Sequence, residues 1–184
     1  MPTIRPATAA DAAAIAAVYA PYVTGTVISF ESDPPDGDEF ARRMASTPRL
    51  PWLVAERDGG IVGYAYASAH RTRAAYRWAA DVSVYLVEAE RGRGTGRALY
   101  LRLFELLREL GYVAAYAGIT LPNPASVGLH ESMGFRPVGV YARVGYKRGG
   151  WHDVGWWQLA LVEPLPAAPG EPQPWRGGDD PATT

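Results

Sequence analysis

The spacing of apolar residues changes along this chain, and each change marks an element. Residues 52–57 and 61–68 read as strands, joined by Asp58-Gly59-Gly60, a strong hairpin signal. Residues 79–87 form a longer strand-like run, and 113–119, 135–144 and 155–162 read the same way. A short first strand covers 3–5. Helical spacing is clearest over 96–110, where Leu99, Leu103, Leu106, Leu107 and Leu110 fall on one stripe. Thr8-Ala9-Ala10-Asp11 has the form of a capping box with Asp in place of Glu, and it opens a helix to about Tyr22. A weaker helix covers 36–46. Asn123 followed by Pro124 is an N-cap and first-turn signature, so 124–133 is helical, and Gly134 ends it. A turn-rich insert, 145–153, separates the last two strands. The order β-α-α-β-β-β-α-β-α-β-β gives an α/β fold with a mixed central sheet flanked by helices. The unit from 79 to 119 is expected to be a right-handed parallel crossover.

Composition narrows the picture. At 184 residues and 48% hydrophobic, the chain suits one domain with a real core. We assign residues 1–163 to that domain. The stretch 164–184 holds six of the sixteen prolines and little periodicity, so it is expected to be disordered or loosely draped, with Trp175 its one sticky residue. A net charge of −1 gives no basis for binding nucleic acid. There is no cysteine, which excludes thiolate chemistry and fits a reducing cytoplasm. No apolar leader follows Met1 and no run is long enough to span a membrane, so no membrane partner is expected. The three histidines, His70, His130 and His152, lack ligand spacing, and no metal site is expected.

The chemistry is concentrated at Arg91-Gly92-Arg93-Gly94-Thr95-Gly96, a basic, glycine-rich turn between a strand and a helix start. Free N–H groups, the helix dipole and bare glycines make such a turn an anion site. It is not a P-loop, because no Gly-Lys-Ser/Thr follows. It is not a dinucleotide fingerprint, because Arg97 stands where the third glycine belongs. Alone, it could equally be a solvated turn. Arg91-x-x-Gly94-x-Gly96, however, resembles the pyrophosphate loop of the GCN5-related N-acetyltransferases (GNAT). Asn123, Ala125-Ser126, Leu129-His130 and Gly134-Phe135 resemble that superfamily's second cofactor motif, at the right separation. Further matches narrow the resemblance to the phosphinothricin and methionine sulfoximine acetyltransferases. They include Pro51-Trp52-Leu53-Val54-Ala55-Glu56, Ala75-Tyr76-Arg77-Trp78 and Gly150-Trp151-His152-Asp153-Val154-Gly155-Trp156-Trp157.

That resemblance implies an enzyme that moves acetyl from acetyl-CoA to the α-amine of a small amino acid or analogue, with herbicide resistance as one outcome. It implies a GNAT fold in which the strand ending Val84-Tyr85-Leu86 splays from its parallel neighbour, so that the pantetheine arm can pair there. A backbone N–H near Tyr85 or Leu86 would polarise the thioester carbonyl. The diphosphate would lie on Gly92, Arg93, Gly94, Thr95, Gly96 and Arg97, with Arg91 adding charge and Asn123 completing the cofactor set. Asp81 stands where the family has its general-base glutamate, one methylene short; an outward-facing strand carboxylate is the alternative. His130 stands where many members have a proton-donating tyrosine, with a hydrogen-bonded core histidine as the alternative. Substrate contacts would come from Phe30, Glu31, Arg71, Arg73, Ala74, Ala75, Tyr76 and Lys147, with Arg73 taking the carboxylate. His70 falls near the same pocket. Trp151, Trp156 and Trp157 read as core or dimer contact, and the resemblance implies a homodimer. Acetylation of another amine (a polyamine or a peptide N-terminus) and a non-catalytic acyl-CoA-binding module are the competing readings.

Overall fold

The computed structural model describes residues 2–46 and 48–177. In chain order it contains β1 (Thr3–Pro6), a 3₁₀ turn (Ala9–Asp11), α1 (Ala12–Gly25), α2 (Gly37–Met44), β2 (Trp52–Arg57), β3 (Gly60–Ala69) and β4 (Ala79–Leu86). Then follow α3 (Thr95–Glu109), β5 (Ala114–Leu121), α4 (Pro124–Ser132), β6 (Arg136–Lys147) and β7 (Gly150–Ala160). The seven strands make one sheet in the order β1-β2-β3-β4-β5-β7-β6. Every neighbouring pair is antiparallel except β4 and β5, which are parallel.

Strand alternation divides the core between the two faces of this sheet. Leu53, Ala55, Ala65, Ala67, Ala80 and Val82 join the leucine stripe of α3 on one face. Trp52, Val54 and Tyr64 meet α1 and α2 on the other. In α1, Ile15, Val18, Tyr19, Tyr22 and Val23 are buried, the i, i+3, i+4, i+7, i+8 pattern of a one-faced helix. Leu99, Leu103 and Leu107 of α3 are fully enclosed, and each such side chain stabilises the fold by roughly 1.5–3 kcal/mol. Ahead of α1, the Asp11 carboxylate accepts the Thr8 N–H at 2.8 Å and a two-pronged Arg5 guanidinium at 2.7 and 2.8 Å. Arg5 first, and the Thr8 N–H besides, hold that carboxyl at about 2 against burial.

One expected element is wrong. The insert 145–153 is not a loop: β6 continues to Lys147 and β7 begins at Gly150, so the two strands form one long hairpin. Its glycines serve the sheet. Gly149, at φ 79°, makes the turn beside Arg148 at φ 52°. At Gly145, a Cβ would run into the Phe30 ring. The 3₁₀ turn Ala74–Tyr76 lies between β3 and β4. The C-terminal stretch 164–177 has neither helix nor strand, and the rest of the expected tail, 178–184, lies outside the described residues.

Candidate active site

The site is built on a fork between two strands. β4 and β5 pair only at Ala79↔Ala114, Ala80↔Ala115 and Asp81↔Tyr116, and beyond Asp81 they part. The Trp78 carbonyl accepts the Val113 N–H at 2.9 Å, so even-numbered residues of β4 present their main-chain groups toward β5. Past the fork, Val84 and Leu86 therefore face a gap with no ladder partner. At Leu86 one side chain fills that role: the Leu86 N–H donates to Tyr22 Oη at 3.1 Å, and the Tyr22 hydroxyl donates to the Leu86 carbonyl at 2.6 Å. Tyr85 belongs to the opposite set, paired with Tyr64 of β3. Among the described residues, the N–H that faces the gap without a partner is that of Val84, not that of Tyr85 or Leu86. Odd-numbered side chains point to the α1 face, which places Asp81 and Ser83 there.

Below the fork lies a groove of 520 Å³, bordered by Val84, Leu86, Arg91, Gly94, Gly96 and Asn123 among others. Gly92 and Gly94 have φ of 73° and 82°, conformations that disfavour any residue with a Cβ. Gly94 is the N-cap of α3, so the first-turn N–H groups open onto the groove. The loop is anchored from beneath. Buried Glu90 takes Arg57 Nη2 at 2.8 Å and the Thr95 hydroxyl at 2.5 Å, and these partners hold its carboxyl below the usual range. Nothing in the sequence motif signalled Glu90, because its partner Arg57 comes from β2. Arg91 lies over the Tyr22 ring at 5.2 Å, and Arg97 donates to the Ser132 carbonyl at 3.2 Å; both border the groove, whereas Arg93 is exposed and does not. Asn123 caps α4 by accepting the Ser126 N–H at 3.2 Å.

Above the fork lies a second cavity of 440 Å³, walled by Phe30, Tyr66, Asp81, Tyr141 and Trp156 among others. A narrow slot between the strands joins the two spaces, bordered by Ser83, Val84, Gly118 and His130. Asp81 borders the upper cavity and belongs to the last pair before the strands part. Burial pushes its carboxyl above the usual range, and the hydrogen bond from His70 and the charges of His70 and Arg71 pull it partly back. His70 Nδ1 lies 2.6 Å from Asp81 Oδ1, a contact that the sequence did not reveal.

The other expected side chains divide. Phe30 is part of the cavity wall. Glu31 is bound to Arg43 at 2.9 and 3.1 Å and accepts the Tyr19 hydroxyl at 3.1 Å, so it holds the loop rather than facing a ligand. Lys147 does not serve as a substrate contact: its ammonium donates to the carbonyls of Val23 at 2.6 Å, Ser29 at 2.8 Å and Glu31 at 2.8 Å, which uses all three protons. Arg71 donates to the His70 carbonyl at 2.7 Å and lies over Trp156 at 5.5 Å, at the cavity rim. Arg73 has no side-chain partner among the described residues, and with Ala74 and Ala75 it is exposed outside the cavity wall. Tyr76 sets its ring edge against His70 at 5.9 Å. Trp157 is core, as expected, but Trp156 forms part of the cavity wall. His152 donates to the Lys147 carbonyl at 3.0 Å, within the β6–β7 hairpin.

His130 is 3% exposed. Its Nδ1 faces the Ser126 carbonyl at 2.8 Å, which can only accept, so that nitrogen carries the proton and Nε2 accepts from Tyr100 Oη at 3.0 Å. Burial lowers its pKa. A neutral imidazole at the floor of the slot is the result.

A fork that offers unpaired main chain, with a helix N-terminus on one side and a half-buried carboxylate on the other, can hold an amide-bearing diphosphate ligand and bring an amine to its end. Known proteins share this fold. The acetyltransferase (GNAT) domain family matches residues 4–156. The chain is 39% identical to phosphinothricin N-acetyltransferase of Streptomyces viridochromogenes over 170 residues, 92% of this chain and 93% of that protein. It is 36% identical over 163 residues to L-methionine sulfoximine/L-methionine sulfone acetyltransferase of Salmonella typhimurium, covering 88% and 95%. The crystal structure of a phosphinothricin acetyltransferase from Sinorhizobium meliloti in complex with acetyl-CoA superposes with a TM-score of 0.87 at 36% identity, over 92% of this chain and 94% of that one. The chain belongs to the GNAT acetyltransferase family.

Proposed function

We propose that this acetyl-CoA-dependent N-acetyltransferase acts on the α-amino group of a small anionic amino acid or analogue, of the phosphinothricin or methionine sulfoximine kind. One observation carries the reading: Asp81, a half-buried carboxylate, borders the upper cavity at the last β4–β5 pair, where the strands begin to part. The lower groove fits the cofactor. The loop amides from Gly92 to Arg97 would take its diphosphate, and the main chain at Val84, the part of the fork that Tyr22 leaves free, would pair its amide arm. Bound there, acetyl-CoA supplies an acyl group on a good leaving thiol.

The protein's own groups do the remaining work. Near neutral pH the amine arrives protonated, and Asp81 takes the proton that blocks attack. The Val84 N–H faces the place where negative charge develops on the carbonyl oxygen. His130 and Tyr100 border the slot where the thiolate leaves, but the one His130 proton is held by the Ser126 carbonyl and Nε2 accepts from Tyr100, so His130 shapes the slot and the thiolate takes its proton from solvent. Arg73, whose guanidinium is uncommitted, meets the substrate carboxylate at the cavity mouth, with Arg71 beside it.

The finer expectations follow as part of the same proposal. The acetyltransferase body is 1–163, with 164–184 as an appendage. The protein works in the cytoplasm, and herbicide resistance is a consequence of its substrate class. The outer edge of the sheet exposes Val138, Val140, Val144, Tyr146 and Trp151, an apolar strip suited to a second copy; sedimentation as a monomer at micromolar concentration would refute the homodimer. The activity is tested by thiol release from acetyl-CoA across a panel of amines. Turnover with small anionic amino acids, lost in Arg71→Ala/Arg73→Ala through a higher KM for the amine alone, supports the reading. Turnover confined to polyamines or peptides would replace it, and release at background with every amine would leave only a binding module.

A further inference from the structure

We propose that His70 is the positioning residue for Asp81, and that the two act as one proton-accepting unit. The proposal rests on the reading of Asp81 as the acceptor, and adds a residue to it. Register explains the meeting. Tyr66 and Ser68 of β3 stand opposite Ser83 and Asp81 of β4, on the α1 face of the sheet. His70 is the next residue on that face, diagonal to Asp81, a distance that a long side chain spans. Its ring is fixed by stacking on Tyr116, with centroids 4.4 Å apart at 19°, and by the edges of Tyr76 and Trp156 at 5.9 and 6.1 Å. Thus held, Nδ1 reaches Asp81 Oδ1 at 2.6 Å. A separation this short belongs to a charge-assisted bond.

The consequence concerns the carboxylate's reach. An aspartate is one methylene shorter than a glutamate, so a free Asp81 could turn away from the amine. The His70 bond occupies one oxygen and leaves the other toward the 440 Å³ cavity that Asp81 helps to wall. In the step itself, one N–H bond of the substrate ammonium breaks and an O–H bond forms on the free Asp81 oxygen. The electron pair stays on nitrogen, and the Asp81 carboxylate goes from minus one to zero while His70 keeps its Nδ1 proton. His70 Nε2 has no partner among the described residues and is not enclosed by them. The other charged or titratable groups around Asp81 are Arg71 after β3, Tyr66 on β3, Tyr116 on β5 and Tyr141 on β6; Glu31 nearby is tied to Arg43.

The test compares His70→Ala, His70→Asn and Asp81→Asn by steady-state kinetics over pH, using acetyl-CoA and the best amine of the panel. We expect His70→Ala to lower kcat about tenfold or more while the KM for acetyl-CoA stays unchanged. The acidic limb of kcat should move to higher pH, because burial then acts on Asp81 unopposed by its hydrogen bond. His70→Asn, which keeps an N–H donor at similar reach, should recover part of kcat. If kcat and the acidic limb of both His70 variants coincide with wild type, the pairing is overturned, whichever variant folds best. Asp81→Asn separates the two ideas. An inactive Asp81→Asn beside wild-type His70 variants sinks only the pairing; an active one sinks the acceptor reading itself.

Discussion

At the scale of single residues, the two best-placed aspartates are opposites. Asp11 is drawn below its usual range by Arg5, so its charge supports the fold. Asp81 is raised by burial, so its charge opposes the fold. A carboxyl whose folded pKa lies above its unfolded value favours folding when protonated, and that contribution fades as pH rises through the folded value. At neutral pH Asp81 is thus a site where function is held against stability. Asp81→Asn keeps the shape and the contact with His70 but removes the half-buried charge. Its thermal midpoint at pH 7 should equal or exceed that of the wild type, while the acetyl-transfer rate falls by about 10²–10⁴-fold. Melting and thiol release on the same preparation check both halves, and a clear drop in midpoint would show that the charge is structurally needed. The wild-type rate should climb along an acidic limb placed above the range of an ordinary aspartate, because only the ionised carboxyl accepts a proton.

At the scale of elements, the parts with strong local signals were legible and those depending on distant contacts were not. The leucine stripe of α3, the hairpin at Asp58-Gly59 and the Asn123 cap of α4 are written in neighbouring residues, and each stands where its spacing put it. The glycine loop is the same kind of feature: Gly92 and Gly94 take positive φ, which local sequence announces. Gly94→Ala should cost roughly 1–2 kcal/mol from the backbone alone. It should also raise the KM for acetyl-CoA about tenfold, a loss of about 1.4 kcal/mol of binding. Gly59→Ala is the control, since Gly59 has φ of 77° and open space around it but lies far along the β2–β3 turn. Equal KM values for the two variants would disconnect the loop from the cofactor. The 145–153 stretch was illegible because its glycines look like turn residues until Phe30, more than a hundred residues earlier in the chain, is seen to lie against Gly145. Lys147 misled for the same reason, since the carbonyls that claim it are 116 to 124 residues away in sequence. The His70–Asp81 contact crosses a diagonal of paired strands, which only the register of β3 on β4 defines.

At the scale of the whole molecule, the C-terminal stretch links parts of the fold that the sheet does not. The Gln173 N–H donates to the Leu110 carbonyl after α3, and the Trp175 N–H to the Arg49 carbonyl before β2, both at 2.8 Å. Trp175 itself packs on the core beneath the sheet. The same segment grips the approach to β4: Trp78 Nε1 donates to the Gly170 carbonyl at 2.7 Å, and Arg77 pairs with Glu171 at 2.5 and 2.6 Å. Arg77 and Trp78 directly follow the 3₁₀ turn Ala74–Tyr76 and precede the strand that carries Asp81, so the strap steadies the segment leading into β4 and, through it, the strand that borders the upper cavity. The exposed ion pair contributes at most about 1 kcal/mol. Partial burial of Trp175 adds roughly 1.5–3 kcal/mol. A chain cut after residue 163 should therefore melt about 5 °C lower. Its KM for the amine should rise, while its KM for acetyl-CoA stays unchanged, because the groove below the fork shares no residue with the strap. Glu171→Gln should reproduce little of this, and Trp175→Ala most of the thermal loss. A truncated enzyme with the wild-type melting point and wild-type amine KM would show that the stretch only rests on the surface.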